Sequence, residues 1–439
     1  MNSFVLLGQT LSFVDDPFRV SPDQAVDHHT KGAVWVEDGL IKAVGAAGDI
    51  KQAADGVPVI DHGDALIMAG FVDCHAHYPQ ISIIASYGAQ LLDWLEKYTF
   101  PTEAAFGDKN HAKAAAGLFF DECARNGITT SSVYATVHPQ SVDGFFEVAS
   151  ARNLRMVCGK VLMDCNAPDD LLDTAQSGYD QSKELIEKWH GTGRNVYAIT
   201  PRFAPTSSPE QLRAAGTLWA EYPETVMQTH LSENVDEISW VGDLFSKAPD
   251  YFGIYEGYGL TGPGAVFGHA IHLNDRERAA LRDTGSAIAH CPTSNTFIGS
   301  GLFDMQGLRD CDDPVDVGLA TDIAGGTSLS MFATLRASYE IAQLRGYSLH
   351  AAKAYYLATV GSAKALRLGD RIGNLAPGLE ADMVVVDLAS TPIIANRMIG
   401  CNDIWDALFV QMIMADDRAI AATYSGGRLV YTAQKETQQ

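Results

Sequence analysis

His75 and His77 stand one residue apart in Phe71-Val-Asp-Cys-His-Ala-His-Tyr-Pro-Gln80. On a β-strand, residues i and i+2 point to the same face. Two imidazoles so placed at a strand end can hold one metal ion together. The apolar run Ala65-Leu66-Ile67-Met68 and the nearby Gly70 make a strand the natural reading of the approach. Further donors follow: His230 in Gln228-Thr-His-Leu-Ser-Glu233, His269 in Val266-Phe-Gly-His-Ala-Ile-His272, and Asp322 in Leu319-Ala-Thr-Asp322. Three such imidazoles with one carboxylate, drawn from these five, suit Zn2+ or Fe2+, one ion per chain, with room left for water. Such an ion would lower the pKa of its water to near neutrality. Glu233, three residues beyond His230, could take that water's proton and pass it to a leaving group. Taken singly, His230 or Asp322 is as readily a buried polar group bonded to backbone. It is the joint pattern that points to a metal site.

These residues must be brought together by the elements that carry them. Eight apolar runs, at 66–74, 129–136, 155–163, 196–203, 225–231, 265–273, 286–291 and 317–323, alternate with helical stretches such as 114–126, 181–189 and 209–222. Repeated βα units of this kind close into a (β/α)8 barrel, whose active site lies at the C-terminal ends of the strands. The candidate donors fall at that rim. Both ends of the chain read instead as short strands. Glu37-Asp38-Gly39 between two β-rich runs is a hairpin signal, and 382–387 and 421–431 read as a buried strand and a second hairpin. The expected fold is therefore α/β: a TIM-type barrel over 67–375, with a small composite β-sandwich domain from 1–66 and 376–439.

The chain has 439 residues, 46% of them apolar and 19% charged, which is enough for a large core and argues against disorder. Its formal net charge of −23 disfavours nucleic acid and anionic membranes as partners and suits small neutral molecules. The seven cysteines, at 74, 123, 158, 165, 291, 311 and 401, include no Cys-x-x-Cys pair and read as reduced thiols. No apolar run approaches a membrane span and no signal peptide is evident, so the expected location is the cytoplasm.

Other residues carry weaker signals. His272, three positions beyond His269, would face the opposite way on a strand and reads as structural. His138 either edges the pocket or caps a loop, and His290 is ambiguous. Lys160 falls on the third predicted strand, whereas the lysine that bridges two metals in binuclear barrels of this kind sits on the fourth; a single metal is the better reading. The stretch 90–98 places Leu91, Leu92, Trp94, Leu95 and Tyr98 at helical spacing, as a lid over the pocket or as an ordinary packing helix.

Together these residues resemble the amidohydrolase superfamily and, more narrowly, its guanine deaminases. The narrower likeness lies in Tyr78-Pro-Gln80, Ala85-Ser-Tyr-Gly88, Lys97-Tyr-Thr-Phe-Pro-Thr-Glu103, Thr200-Pro-Arg-Phe-Ala-Pro-Thr206, His290-Cys-Pro-Thr-Ser-Asn295 and Gly299-Ser-Gly-Leu-Phe303. The resemblance implies one zinc ion on His75, His77, His230 and Asp322, with Glu233 as proton shuttle and His269 orienting or polarising the attacking hydroxide. Gln80, Arg202 and Phe203 would line the pocket for a small purine base, guanine, and the family habit is a homodimer. From the residues alone Arg202 is a donor to a carbonyl oxygen or a rim salt bridge, Phe203 stacks or packs, and Gln80 meets a ring edge or caps a turn. The expected reaction is hydrolysis of guanine to xanthine and ammonia. The alternatives are a related deaminase of cytosine, a triazine or an S-adenosylhomocysteine-like nucleoside, a hydrolase of cyclic amides or esters, and a non-catalytic barrel scaffold.

Overall fold

The computed structural model describes residues 3–88 and 90–433. Residues 1–2 and 434–439, at the ends of the expected composite domain, and residue 89, just ahead of the expected lid, lie outside the described residues.

The chain begins in a sheet made of strands β1 (Ser3–Phe13), β2 (Val26–Glu37), β3 (Leu40–Ala46) and β4 (Val59–Ala69). The β2–β3 hairpin turns at Asp38 and Gly39, both at positive φ (51° and 81°), the conformation an Asp-Gly pair tolerates best. Eight barrel positions follow: β5 (Phe71–Ala76), β6 (Ile128–Tyr134), β7 (Val157–Gly159) continued by β8 (Val161–Leu162), β9 (Val196–Pro201), β10 (Val226–Leu231), β11 (Ala265–His269), β12 (Ala287–His290) and β13 (Asp316–Leu319). Every pairing among them is parallel. The expected helices are present between them at Lys109–Arg125, Ala175–Trp189 and Pro209–Glu221. The chain then returns to the first sheet as β14 (Met383–Val386), β15 (Ile420–Ser425) and β16 (Arg428–Thr432). Strand order in that sheet is β16-β15-β14-β4-β1-β2-β3.

The two layers expected of the end domain are halves of this one seven-stranded sheet, which curls over on itself. Phe4, Val34, Val36, Ile41, Met383, Val385, Ala422 and Tyr424 share one buried cluster, and Leu40 bridges to Glu380 across the fold. The apolar run 66–74 is two strands rather than one. Leu66–Ala69 pairs antiparallel with Met383–Val386, and the chain crosses to the barrel at Gly70. Both strands are apolar and adjacent, so hydropathy alone merges them. Likewise 155–163 breaks at Lys160, and 317–323 is strand only to Leu319.

The barrel closes beyond its last strand. The amide of Asp322 donates to the carbonyl of His75 (2.9 Å), and the amide of His77 donates to the carbonyl of Ile323 (2.9 Å). The buried Asp73 carboxylate accepts from the backbone amide (3.0 Å) and hydroxyl (2.5 Å) of Thr321. The turn after β13 is thereby stitched to β5.

The barrel and the curled sheet are joined by a buried ionic network. Arg155 and Arg194, just ahead of β7 and β9, converge on Glu380, and Arg194 also donates to Asp382 (2.6 Å). Removing Glu380 would leave two guanidinium groups short of a partner in a shielded place. Glu380→Ala is expected to lower unfolding free energy by about 3–5 kcal/mol, read from urea denaturation. A loss below about 1 kcal/mol would show that the domains are held by apolar packing instead.

Candidate active site

Strand ends deliver the donors to one point above the barrel. His75 lies in β5, and His77 lies one residue beyond it. The next residue, Tyr78, is fully buried among Phe106, Phe119 and Phe145, and its hydroxyl donates to the carbonyl of Ser141 (2.7 Å). That anchor starts the short helix Tyr78–Ile83 and sets Gln80 over the rim. Strand β9 ends at Pro201, which cannot donate to a ladder, and Arg202 and Phe203 follow at once. Gly268 makes room for the metal-side imidazole: a Cβ there would lie 2.7 Å from His75 Cε1.

The Nε2 atoms of His75 and His77 are 3.1 Å apart, and Asp322 Oδ1 lies 3.3 Å from each. Edges of about 3.3 Å are those of a tetrahedron with Zn–N and Zn–O bonds of about 2.0–2.1 Å. His230 joins the two histidines within ligand range. Its Nδ1 sits 2.6 Å from the carbonyl of Arg202, which requires Nδ1–H and leaves Nε2 as the free lone pair. The cluster is thus a site suited to one metal ion. Burial pushes the His75 imidazole down to about 4, and burial with the neighbouring histidines holds His230 well below its usual range. Both rings are therefore neutral near pH 7, the form that ligates metal. Burial works against the Asp322 charge, but His75 and His77 more than offset it and keep the carboxyl well below the usual carboxylate range.

Glu233 and His269 face this cluster. His269 Nε2 is 3.3 Å from Glu233 Oε2 and 3.7 Å from Asp322 Oδ2. Asn295 Oδ1 holds His269 Nδ1 at 2.8 Å, and Ser300 donates to Glu233 Oε1 at 3.0 Å. Burial pushes the Glu233 carboxyl up to about 7, a value that suits an acid/base near neutral pH. Ser232, His269, Ala270 and Asp322 all take positive φ (47°, 68°, 50° and 47°). Strained backbone of this kind collects at functional rims because the surrounding packing over-determines it.

One cavity unites these groups. Its walls include His77, His230, Glu233, His269 and Asp322 on the metal side, and Gln80, Arg202 and Phe203 on the other. Leu91, Trp94 and Leu95 also line it, so the segment 90–98 roofs the pocket. Arg202 is an ion-pair partner, of Glu103 at 2.7 Å, but the pair is buried and borders the cavity rather than sitting on an exposed rim.

Several residues were not singled out by their spacing. Glu103 lies five residues beyond the roof segment, and Asn295 and Ser300 lie after β12; only the fold reveals their partners. Cys291 approaches within ligand range of His75, His269 and Asp322, but it is a buried thiol whose pKa is driven well up by burial. Other histidines stay out of the cavity. His272 lies beyond the end of β11, where its Nε2 meets the carbonyl of Ser300 at 2.8 Å. His290 stacks on Phe303 at 4.3 Å, and His138 precedes the helix Pro139–Arg152. Lys160 is buried against Asp173.

A parallel barrel with this cluster at its rim defines a metal-dependent hydrolase of the amidohydrolase kind. The sequence pattern of the amidohydrolase family matches residues 66–430, and the chain belongs to that family. A guanine deaminase of Escherichia coli K12 is 49% identical over 95% of this chain and 94% of its own length. The crystal structure of guanine deaminase from Bradyrhizobium japonicum superposes with a TM-score of 0.96 at 34% identity, covering 99% of this chain and 100% of that one. A guanine deaminase from C. acetobutylicum, solved with guanine in its active site, gives 0.87 at 27% identity, covering 98% of this chain and 100% of that one.

Loss of His75 or Asp322 to Ala should reduce bound metal, measured by plasma mass spectrometry on purified protein, from about one ion per chain to a small fraction. Glu233→Gln should leave it near one. Loss of the ion from Glu233→Gln as well would mean that Glu233 is a ligand.

Proposed function

We propose that this chain hydrolyses guanine to xanthine and ammonia at a single zinc ion held by His75, His77, His230 and Asp322. The observation that carries the reading is one cavity with a cluster of candidate metal ligands and the buried Glu233 carboxyl on one wall and Arg202 with Gln80 on the other. Guanine presents an adjacent N1–H and C6=O on one edge, and a guanidinium beside an amide oxygen complements that edge. Its amino-bearing C2 then faces the metal side. The named relatives support the same substrate.

Zinc, when bound, supplies Lewis-acid activation of the attacking water. The residues do the rest. Glu233 takes the proton of the water that adds to C2 and delivers it to N3. His269, held by Asn295, keeps the attacking oxygen in line. Asp322 takes up the proton of the new C2 hydroxyl and passes it to the exocyclic nitrogen as the C–N bond breaks, so that the amine leaves as ammonia. Arg202 and Gln80 hold the six-membered ring, and Phe203 covers it. The unpaired state of all seven cysteines supports a reducing, cytoplasmic setting. Among the described residues no helix is long and apolar enough to cross a membrane.

Zinc-loaded protein should release ammonia from guanine with a kcat of about 1 per second or more, and leave cytosine, adenine and S-adenosylhomocysteine intact. Deamination of one of the others with guanine untouched would move the reading to a different heterocycle. Glu233→Gln should lower kcat by about 100- to 10,000-fold with metal retained, measured by coupled ammonia assay.

A further inference from the structure

Glu103 is fully buried and sits where the roof segment meets the purine wall. Its two carboxylate oxygens are divided between the two polar groups of that wall. Oε1 accepts from Gln80 Nε2 at 2.8 Å, and Oε2 accepts from Arg202 Nη1 at 2.7 Å. Gln80 and Arg202 are themselves 2% and 3% exposed, so bulk water cannot substitute for either bond. Phe100, on the same short helix as Glu103, lies 5.6 Å from the Arg202 guanidinium and limits its swing.

An amide side chain can present either its oxygen or its NH2, and the two faces have nearly the same shape. A carboxylate accepts only. Gln80 must therefore turn its NH2 toward Glu103, which leaves its carbonyl oxygen as the end available to the cavity. Among the described residues that oxygen takes no hydrogen bond from the protein. Arg202 can only donate. The wall consequently offers one acceptor beside one donor, in fixed order.

We propose that Glu103 is a positioning residue that sets this hydrogen-bond polarity, and with it the selection of 6-oxo over 6-amino purines. The inference rests on the reading of the site as a deaminase of guanine. A 6-oxopurine supplies N1–H to the Gln80 oxygen and O6 to Arg202. A 6-aminopurine supplies a bare N1 and an NH2 in those places, so acceptor meets acceptor and donor meets donor. Sites built to hydrogen-bond one group reject its mismatched analogue by large factors, because buried polar atoms are left unpaired. Glu103 never touches the substrate; it acts by removing the alternative amide orientation.

The test compares guanine with 2,6-diaminopurine, which keeps the 2-amino leaving group and changes only the 6-position. Wild-type protein should favour guanine in kcat/KM by about 100-fold or more. Glu103→Gln, which can donate or accept and so lets Gln80 flip, should lower that ratio by about 10-fold or more, mainly by raising the KM for guanine. Glu103→Asp keeps an acceptor-only group and should restore most of the ratio even if both rates fall. Gln80→Leu, which spares the Glu103–Arg202 pair, should also erode the ratio and keeps the test decisive should the Glu103 variants not fold. If both substrates fall in parallel in Glu103→Gln and the ratio stays within about 3-fold, Glu103 is a structural ion-pair partner and the proposal is overturned. A wild-type protein that prefers neither purine overturns it as well, and one inactive on guanine removes the reading of the site beneath it.

Discussion

The amide of Asp322 donates to the carbonyl of His75, and that bond both closes the barrel and brings the candidate metal ligands of its first and last strands together. The strand that carries two imidazoles is the first of eight, and the carboxylate comes from the turn after the last. They are 247 positions apart in sequence, from 75 to 322, yet their side chains meet at 3.3 Å. Asp73 reinforces the seam from below through Thr321. A barrel that failed to close would lose the site with it, since no shorter segment holds the donors together.

Closure also creates the electrostatic problem that gives the site its chemistry. Four histidines and two carboxylates, all but His230 at most 5% exposed, are gathered where water solvates them poorly. Desolvation drives His75 and His230 toward neutrality and Glu233 toward protonation, and Asp322 stays charged because the histidines face it. A divalent cation held by these ligands would offset the unfavourable burial of the carboxylates and use the imidazole lone pairs that burial has freed. Groups whose protonation is pushed apart in this way divide naturally into ligands and proton carriers.

The opposite wall follows a different logic. Gln80, Arg202 and Glu103 come from the short helix after β5, the residue after β9 and the short helix that follows the roof segment, and they satisfy one another before any substrate arrives. Leu91, Trp94 and Leu95 give the same space an apolar lining. On the proposed reading, recognition depends on a pre-set array of donor and acceptor rather than on flexible side chains that adapt.

Much of this was legible in the residues. His75-x-His77 before a Tyr-Pro-Gln turn, His230 with Glu233, and Asp322 after an apolar run follow strand periodicity, and periodicity is local. The alternation of strands and helices implied the barrel, and the Asp-Gly and Gly-Gly turns implied the end hairpins. What local pattern could not carry is partnership. Hydropathy merged β4 with β5 because both are apolar on either side of Gly70, and only the pairing of Leu66–Ala69 with β14 separates them. Arg202 could be read as a substrate donor or as a salt-bridge partner; its carboxylate lies 99 residues upstream, and the fold makes it both an ion-pair partner and a cavity wall. Sequence by itself determined which residues are candidates for the chemistry and which elements present them, because side-chain type and strand period are properties of short segments. Tertiary structure alone decided which carboxylate meets which donor, because those contacts exist only once the barrel has closed.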